Sequence, residues 1–308
     1  MASMRKIMPY LAGVGYASIF GFSFMFTRRA LEHITPFHLL GLRFLAAALA
    51  LSLLHLLEIV PIRVSWQQFK ALLPLAFFQP LLYFPLETLG VQMTSSSHGG
   101  MMIAAIPIFV TILAAVLLKE RPSPLQYPFI LASVGGVIFI LAMENQGGLE
   151  SNLPGTLFLL GAVLAAACYN IASRKAGKSF SPLQITWVMM VIGAIAFNGI
   201  ALGQHVSADT LGQYFKPLAF VWPQILFLGI LSSVGAFFLV NYTLSKLPAA
   251  QGAVFSNLTT LISIFAGVTF LKESFSWHQA VGALVILAGV WGTNYFASSR
   301  KGNLEVEI

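Results

Sequence analysis

A chain of 308 residues is long enough for two soluble domains, but 57% of it is hydrophobic and only 9% is charged. Soluble domains carry about a quarter charged residues, so the composition excludes them and implies an all-α polytopic membrane protein. Its net charge of +7 sits mostly in short loops, where it sets topology rather than forming a nucleic-acid surface.

A spanning helix needs about 20 mainly apolar residues, and ten such windows fit the chain in order. They cover about residues 7–27, 36–57, 69–89, 97–118, 124–143, 154–173, 182–203, 218–244, 249–271 and 277–297. Arg5-Lys6 before the first run resembles a signal-peptide start. That run ends at Arg28-Arg29 without a small-residue cleavage site, so it reads as a retained helix. A polar linker, Glu144 to Asn152, divides the chain. The longest loop runs from His205 to Lys216.

The order repeats. With an offset of 153 and no gap, Gly99 meets Gly252, Leu118-Lys119-Glu120 meets Leu271-Lys272-Glu273, Ser123 meets Ser276, Gln126 meets Gln279, and Gly136-Val137 meets Gly289-Val290. With an offset of 146, Gly15 meets Gly161, Arg28-Arg29-Ala30 meets Arg174-Lys175-Ala176, and Thr35-Pro36 meets Ser181-Pro182. Residues 1–146 and 147–308 are therefore expected to be two five-helix repeats. Five is odd, so the halves must face opposite ways across the bilayer. With the N-terminus in the cytoplasm, Arg5, Lys6, Arg63, Lys70, Lys119, Arg121, Arg174, Lys175, Lys178, Lys246, Arg300 and Lys301 fall inside. Arg28, Arg29, Lys216 and Lys272 fall outside. That bias places both termini in the cytoplasm. An inverted repeat suits alternating access, because two similar halves can exchange conformations around a shared centre.

Arg43 and Glu87 are the charges clearly within spans. Each would cost about 2.5–3.5 kcal/mol or more at the bilayer centre if unpaired. Arg43 lies about 10 Å from the outer end of its helix, at about 1.5 Å per residue, and Glu87 lies near the outer end of helix three. An ion pair between them is geometrically possible. They are also candidates for an outer gate or for holding a substrate carboxylate, and Glu87 is a candidate proton carrier. The alternative is a snorkelled arginine in a structural pair. Gln79, Tyr83 and Glu87 recur every four residues and share a helix face. With Pro80 and Pro85 they point to a cavity wall, or else to interhelical hydrogen bonding. Phe20 and Phe24 on helix one, Met101 and Met102 on helix four, Ser232 on helix eight and Asn257 on helix nine complete the substrate-binding candidates. The methionines equally suit space filling, and the polar pair equally suits packing. His98 is a gating candidate or an interfacial residue. Pro107 is expected to kink helix four. Tyr169, Asn170, Asn241 and Asn294 are too scattered to carry assigned roles. Cys168 is the one cysteine and reads as a packing residue. With no zinc pattern, nucleotide fingerprint or P-loop, no cofactor, metal or bound ATP is expected.

These residues resemble the drug/metabolite transporter superfamily, in its bacterial EamA-type branch. The likeness rests on Arg43-Phe44, on Ser95-Ser96-Ser97 with Pro107 and Leu118-Lys119-Glu120, and on Leu247-Pro248-Ala249 with Leu271-Lys272-Glu273. Two positions depart from it. Thr260 stands where the first copy has Pro107, implying a straighter helix nine, and His98 and Gln251 replace smaller residues. The resemblance implies ten helices around a central cavity and export of amino acids or related metabolites across a bacterial inner membrane, by a protein expected to be a monomer. Aromatic content (13%, 26 Phe) suits an apolar or aromatic amino acid. Glu120 and Glu273 are expected to serve capping and turn structure. Two other readings compete. A membrane transferase would need clustered catalytic side chains on a substantial loop, and a non-transporting scaffold would need no cavity.

Overall fold

The computed structural model describes residues 2–119, 123–146, 153–253 and 255–304. Glu120, Arg121 and linker residues 147–152 lie outside the described residues. So do the side chains of Arg5, Lys6, Val137, Glu144, Gln279, Val290, Asn294, Arg300 and Lys301.

Helix dominates the described residues, in ten long segments: α1 (Ala2–Ala30), α2 (Pro36–Leu56), α3 (Trp66–Met93), α4 (Ser96–Leu117), α5 (Tyr127–Gln146), α6 (Leu153–Ala176), α7 (Pro182–Ser207), α8 (Leu218–Lys246), α9 (Ala249–Phe270) and α10 (Trp277–Leu304). Among the described residues, eight of them, all but α5 and α10, are long and apolar enough to cross a membrane. Their outward faces carry exposed apolar side chains such as Leu49, Leu53, Ile195, Phe220 and Phe265. In water that surface would be costly, whereas against lipid it is the expected exterior.

Local signals set the helix ends. Pro36 and Pro182 occupy first-turn positions, where a missing N–H costs nothing. Ser65 with Gln68, and Ser181 with Gln184, form reciprocal capping boxes. Lys119 (φ 59°) and Lys272 (φ 55°) end α4 and α9 in the left-handed conformation that terminates helices. These two lysines are equivalent at the offset of 153, so the left-handed helix stop is repeated at the same place.

Helix interruptions are repeated as well. α3 widens into a π-helical turn at Phe77–Leu82, where Gln79 is extended (φ −150°, ψ 114°), and α8 does so at Phe227–Ala236. Such turns free side chains and carbonyls and often mark functional positions. α4 breaks between Ile103 and Ile106, just before Pro107. α9 runs unbroken from Ser256 to Phe270, over the positions equivalent to that break. The helix is uninterrupted at Thr260, which stands where α4 has Pro107.

Packing follows the same pattern. α2 lies along α7, α5 along α10, and the first part of α4 crosses α9; α1 packs on α8 and α9, while α6 packs on α3 and α4. Gly193 lets α7 approach the ring of Phe44, and Asn198 ties the same helices together by donating to the Gly41 carbonyl at 2.9 Å. One contact is repeated atom for atom. Arg28 Nη1 donates to the carbonyls of Val91 and Gln92 (3.1 and 2.6 Å), and Arg174 Nη1 donates to those of Leu244 and Ser245 (3.1 and 3.2 Å). Each arginine thereby caps a helix C-terminus, where cationic donors satisfy orphan carbonyls. The offsets of 146 and 153 carry the first contact onto the second.

Candidate substrate cavity

The side chains of α1, α2, α3, α4, α6, α8 and α9 enclose a central cavity of about 70 Å³. That is well below the several hundred Å³ of an ordinary ligand pocket, so this conformation is contracted around its centre. The walls are Tyr16, Phe20, Ser23 and Phe24 from α1, Arg43 from α2, and Gln79, Tyr83, Phe84 and Glu87 from α3. Ile103 and Ile106 come from α4, Ala166, Tyr169 and Asn170 from α6, Phe237 and Val240 from α8, and Ala253, Ser256 and Thr259 from α9.

Fourteen of these nineteen residues form seven pairs under the two repeat offsets. Phe20 pairs with Ala166, Ser23 with Tyr169, and Phe24 with Asn170; Phe84 pairs with Phe237, Glu87 with Val240, Ile103 with Ser256, and Ile106 with Thr259. Equivalent positions of the two halves thus line the same cavity. Their chemistry differs. The first half supplies both charges, opposite Val240 for Glu87 and in place of Met189 for Arg43. The second half adds hydroxyls at Ser256 and Thr259.

Arg43 is 2% exposed. Its Nε donates to Ser233 Oγ at 2.8 Å and its Nη2 to Ser232 Oγ at 3.0 Å. The widened turn of α8 presents these two hydroxyls side by side. The guanidinium also sits 4.4 Å from the ring centre of Phe84, a cation–π arrangement. Glu87 is 3% exposed and accepts a long 3.3 Å hydrogen bond from Thr88 Oγ1. The Arg43–Glu87 ion pair that the sequence allows is not formed. The arginine reaches across to α8 instead, because neighbouring hydroxyls satisfy its fork while Phe84 covers its face. Both charges therefore line one cavity without neutralising each other at contact distance.

Aromatic rings pack the remaining wall. Phe20 meets Phe237 at 5.1 Å, Phe84 meets Phe237 at 5.8 Å, and Tyr16 meets Phe20 at 5.9 Å between centroids. Tyr16 donates its hydroxyl to the Gly252 carbonyl at 2.6 Å. Tyr169 donates to Asn241 Oδ1 at 2.6 Å, Ser173 donates to the same oxygen at 2.7 Å, and Asn241 Nδ2 donates to Thr186 Oγ1 at 3.0 Å. That buried network holds α6, α7 and α8 together behind the cavity.

Of the sequence-selected candidates, Phe20, Phe24, Arg43, Gln79, Tyr83 and Glu87 all reach the cavity. Ser232 does not line it but holds Arg43. Met101 and Met102 are buried in the apolar core between α4 and α6, away from the wall, because their side of α4 packs against neighbouring helices. Asn257 also lies off the cavity, with a buried Oδ1 that has no hydrogen-bond partner; its neighbours Ser256 and Thr259 face inward instead. His98 is buried at the start of α4, with its Nε2 3.3 Å from Thr156 Oγ1, and does not touch the cavity. Tyr169 and Asn170, which looked scattered, both belong to the wall. Phe84 and Phe237 were not singled out, although their equivalence at the offset of 153 was the available signal.

A second, open hollow of about 460 Å³ lies beside the α1–α2 turn. It is lined in part by His33, His38, His205 and Lys216. His205 Nε2 is 3.2 Å from His38 Nδ1, and His38 Nε2 is 2.8 Å from the Tyr214 carbonyl. Burial raises the Tyr214 phenol above its ordinary range, so this loop tyrosine stays protonated.

Apolar spanning helices around an internal cavity with a charged and aromatic wall define a multi-pass membrane protein built to hold a small solute. The profile of the EamA-like transporter family matches residues 7–142 and 153–295, and the chain belongs to that family, within the drug/metabolite transporter superfamily. It is a membrane solute transporter. The uncharacterized transporter YcxC of Bacillus subtilis is 38% identical over 96% of this chain and 95% of its own length. The uncharacterized transporter YetK of the same organism is 25% identical over 94% and 87%. Human solute carrier family 35 member G1 is 24% identical over 72% of this chain and 59% of its own. One crystal structure shares the fold with a TM-score of 0.65 at 16% identity, covering 93% of this chain and 98% of the other.

Proposed function

We propose that this protein is a secondary transporter that exports amino acids or related small metabolites by alternating access, as two inverted five-helix repeats (residues 1–146 and 147–308) with both termini in the cytoplasm of a bacterial cell. The observation that carries this reading is the cavity wall, to which seven pairs of equivalent residues contribute. A binding site on the axis that relates two inverted halves can be opened to either side by exchanging their conformations. The α1–α9 and α6–α4 contacts, which exchange under the same relation, support it.

Arg43 and Glu87 supply the substrate chemistry. Three of the five N–H groups of the guanidinium remain after the bonds to Ser232 and Ser233. A carboxylate can take these while an ammonium group takes Glu87. Phe20, Phe24, Phe84 and Phe237 then enclose an apolar or aromatic side chain. Ligand entry requires the contracted cavity to widen. Glu87 is the residue placed to carry a proton in exchange. The protein acts as a monomer, since each chain contributes both halves of the wall.

The test is a thermal-stabilisation screen of the purified protein against amino acids, sugars and other metabolites, followed by flux of the hits in proteoliposomes. A ligand that binds only the folded state raises apparent stability. Stabilisation and flux confined to zwitterions, with loss in Arg43 variants, is expected. Flux of uncharged sugars alone, unaffected by Arg43 or Glu87 substitution, would overturn the assignment.

A further inference from the structure

The side chains at the α4–α9 crossing are not equivalent between the two halves. At the α4 N-terminus, the Glu273 carboxylate accepts the Ser96 and Ser97 backbone N–H groups, both at 2.8 Å, and the Ser97 hydroxyl at 2.5 Å. Its own backbone brings it there. Lys272 in the left-handed conformation reverses the chain after α9, and Gly267 leaves a side-chain-free gap that Ser97 and Glu273 fill. Glu273 therefore caps a helix of the other half, not its own. Deeper along the same crossing, Ser263 Oγ donates to the Ser96 carbonyl at 3.0 Å and Thr260 Oγ1 to the Gly100 carbonyl at 2.7 Å. Arg29 of α1 adds a bond to the Phe270 carbonyl at 3.2 Å. All these bonds join the first half to the second near one face.

The repeat places Val110 and Pro107 where Ser263 and Thr260 stand. Neither side chain can donate a hydrogen bond. Toward the opposite face, Val110 and Pro107 are buried in apolar surroundings. Contacts between the halves there include Tyr16 to the Gly252 carbonyl and Thr243 to the Pro9 carbonyl at 3.2 Å. A carboxylate that accepts helix N-terminal N–H groups makes stronger bonds than a neutral acceptor and also favours the positive end of the helix.

We propose that Glu273, Ser263 and Thr260 form a clasp that holds the transporter closed at the Glu273 face, and that breaking this clasp is the step that opens the cavity to that side. The inference rests on the alternating-access reading. It adds that the two closed states are unequal, because Val110 and Pro107 stand where this face has Ser263 and Thr260. In the proposed topology the clasped face is the outer one, so the resting protein is open or poised toward the cytoplasm, as suits an exporter that loads from inside.

The experiment uses the full chain carrying Cys168→Ala and a cavity reporter, Ser23→Cys, labelled with a membrane-impermeant maleimide in intact cells and in inverted vesicles. Glu273→Gln, and separately the double variant Thr260→Val with Ser263→Ala, should raise the labelling rate from the Glu273 face roughly tenfold or more, on the scale of a lost charge-assisted bond. Labelling from the other face should fall. The double variant keeps the carboxylate cap, so it serves if Glu273→Gln does not reach the membrane. A reporter reached at the same rates in parent and both variants would overturn the clasp and leave alternating access standing. A reporter reached from neither face in any variant, yet reactive after denaturation, would overturn both.

Discussion

Arg43→Met is the most informative substitution, because Met189 occupies the equivalent place in the second half and the change keeps a long, unbranched side chain. It removes bonds to Ser233 and Ser232 at 2.8 and 3.0 Å and a cation–π contact at 4.4 Å. Hydrogen bonds to charged groups contribute about 1.5–3 kcal/mol each, and a desolvated cation–π contact about 2 kcal/mol. Against these stands the desolvation of a buried cation, which costs several kcal/mol and which methionine does not incur. The two sides nearly cancel, so stability should change by no more than about 2 kcal/mol. Transport has no such compensation. A substrate carboxylate loses Arg43 as its cationic partner in the cavity wall, and truncating one member of a buried charge pair costs about 2–5 kcal/mol. At about 1.4 kcal/mol per tenfold, ligand affinity should fall about 30-fold or more. The assay is paired: thermal unfolding of the purified protein, with and without the stabilising ligand, and proteoliposome flux. A folded Arg43→Met protein with unchanged ligand affinity would refute the reasoning and leave Arg43 as a structural residue. Arg43→Lys should restore the charge but only part of the affinity, since an ammonium lacks the planar fork.

Further outcomes follow from the same contacts. Glu87→Gln should fold normally and abolish dependence of flux on a pH gradient; persistence of that dependence in the variant would remove Glu87 from coupling. Asn241→Leu should destabilise by about 2–4 kcal/mol, read as a lower thermal midpoint, because it strands the hydroxyls of Tyr169 and Ser173 and removes the bond Thr186 accepts. An unchanged midpoint would mean the network is not holding α6, α7 and α8. Gly193→Val should cost about 1–3 kcal/mol by overpacking against the Phe44 ring, while Gly199→Ala, with open space at its Cβ position, should be neutral. Equal midpoints for those two variants would contradict the close α2–α7 approach.

Spans were legible in the sequence because lipid imposes one demand on every turn of a spanning helix: apolar side chains and satisfied backbone. Where that demand relaxes, inside the protein, periodicity loses its hold. The every-fourth spacing of Gln79, Tyr83 and Glu87 found the cavity-facing side of α3, though Gln79 gets there through an extended residue in a widened turn. Met101 and Met102 were chosen for their adaptable side chains, but which side of α4 faces the cavity depends on how it packs on α6 and α9. The Arg43–Glu87 pair failed for a similar reason: one-dimensional depth placed them together, but α8 offered Arg43 two hydroxyls that no span prediction contains. Glu273 was assigned to capping from its place at a helix end. That its carboxylate caps α4 rather than α9 depends on a positive φ at Lys272 and a glycine at 267. The repeat offsets carried more of the site than any motif, since they pair Phe84 with Phe237 and Ile106 with Thr259 across a cavity wall they were never used to predict.

The opposed placement of the two halves is best tested at Glu32 and Lys178, exposed residues at equivalent turns of the repeats. In a Cys168→Ala background, a membrane-impermeant thiol reagent applied to intact cells should label Glu32→Cys and spare Lys178→Cys, and inverted vesicles should give the reverse. Labelling of both positions from the same side would contradict the inverted repeat and, with it, the shared two-way cavity.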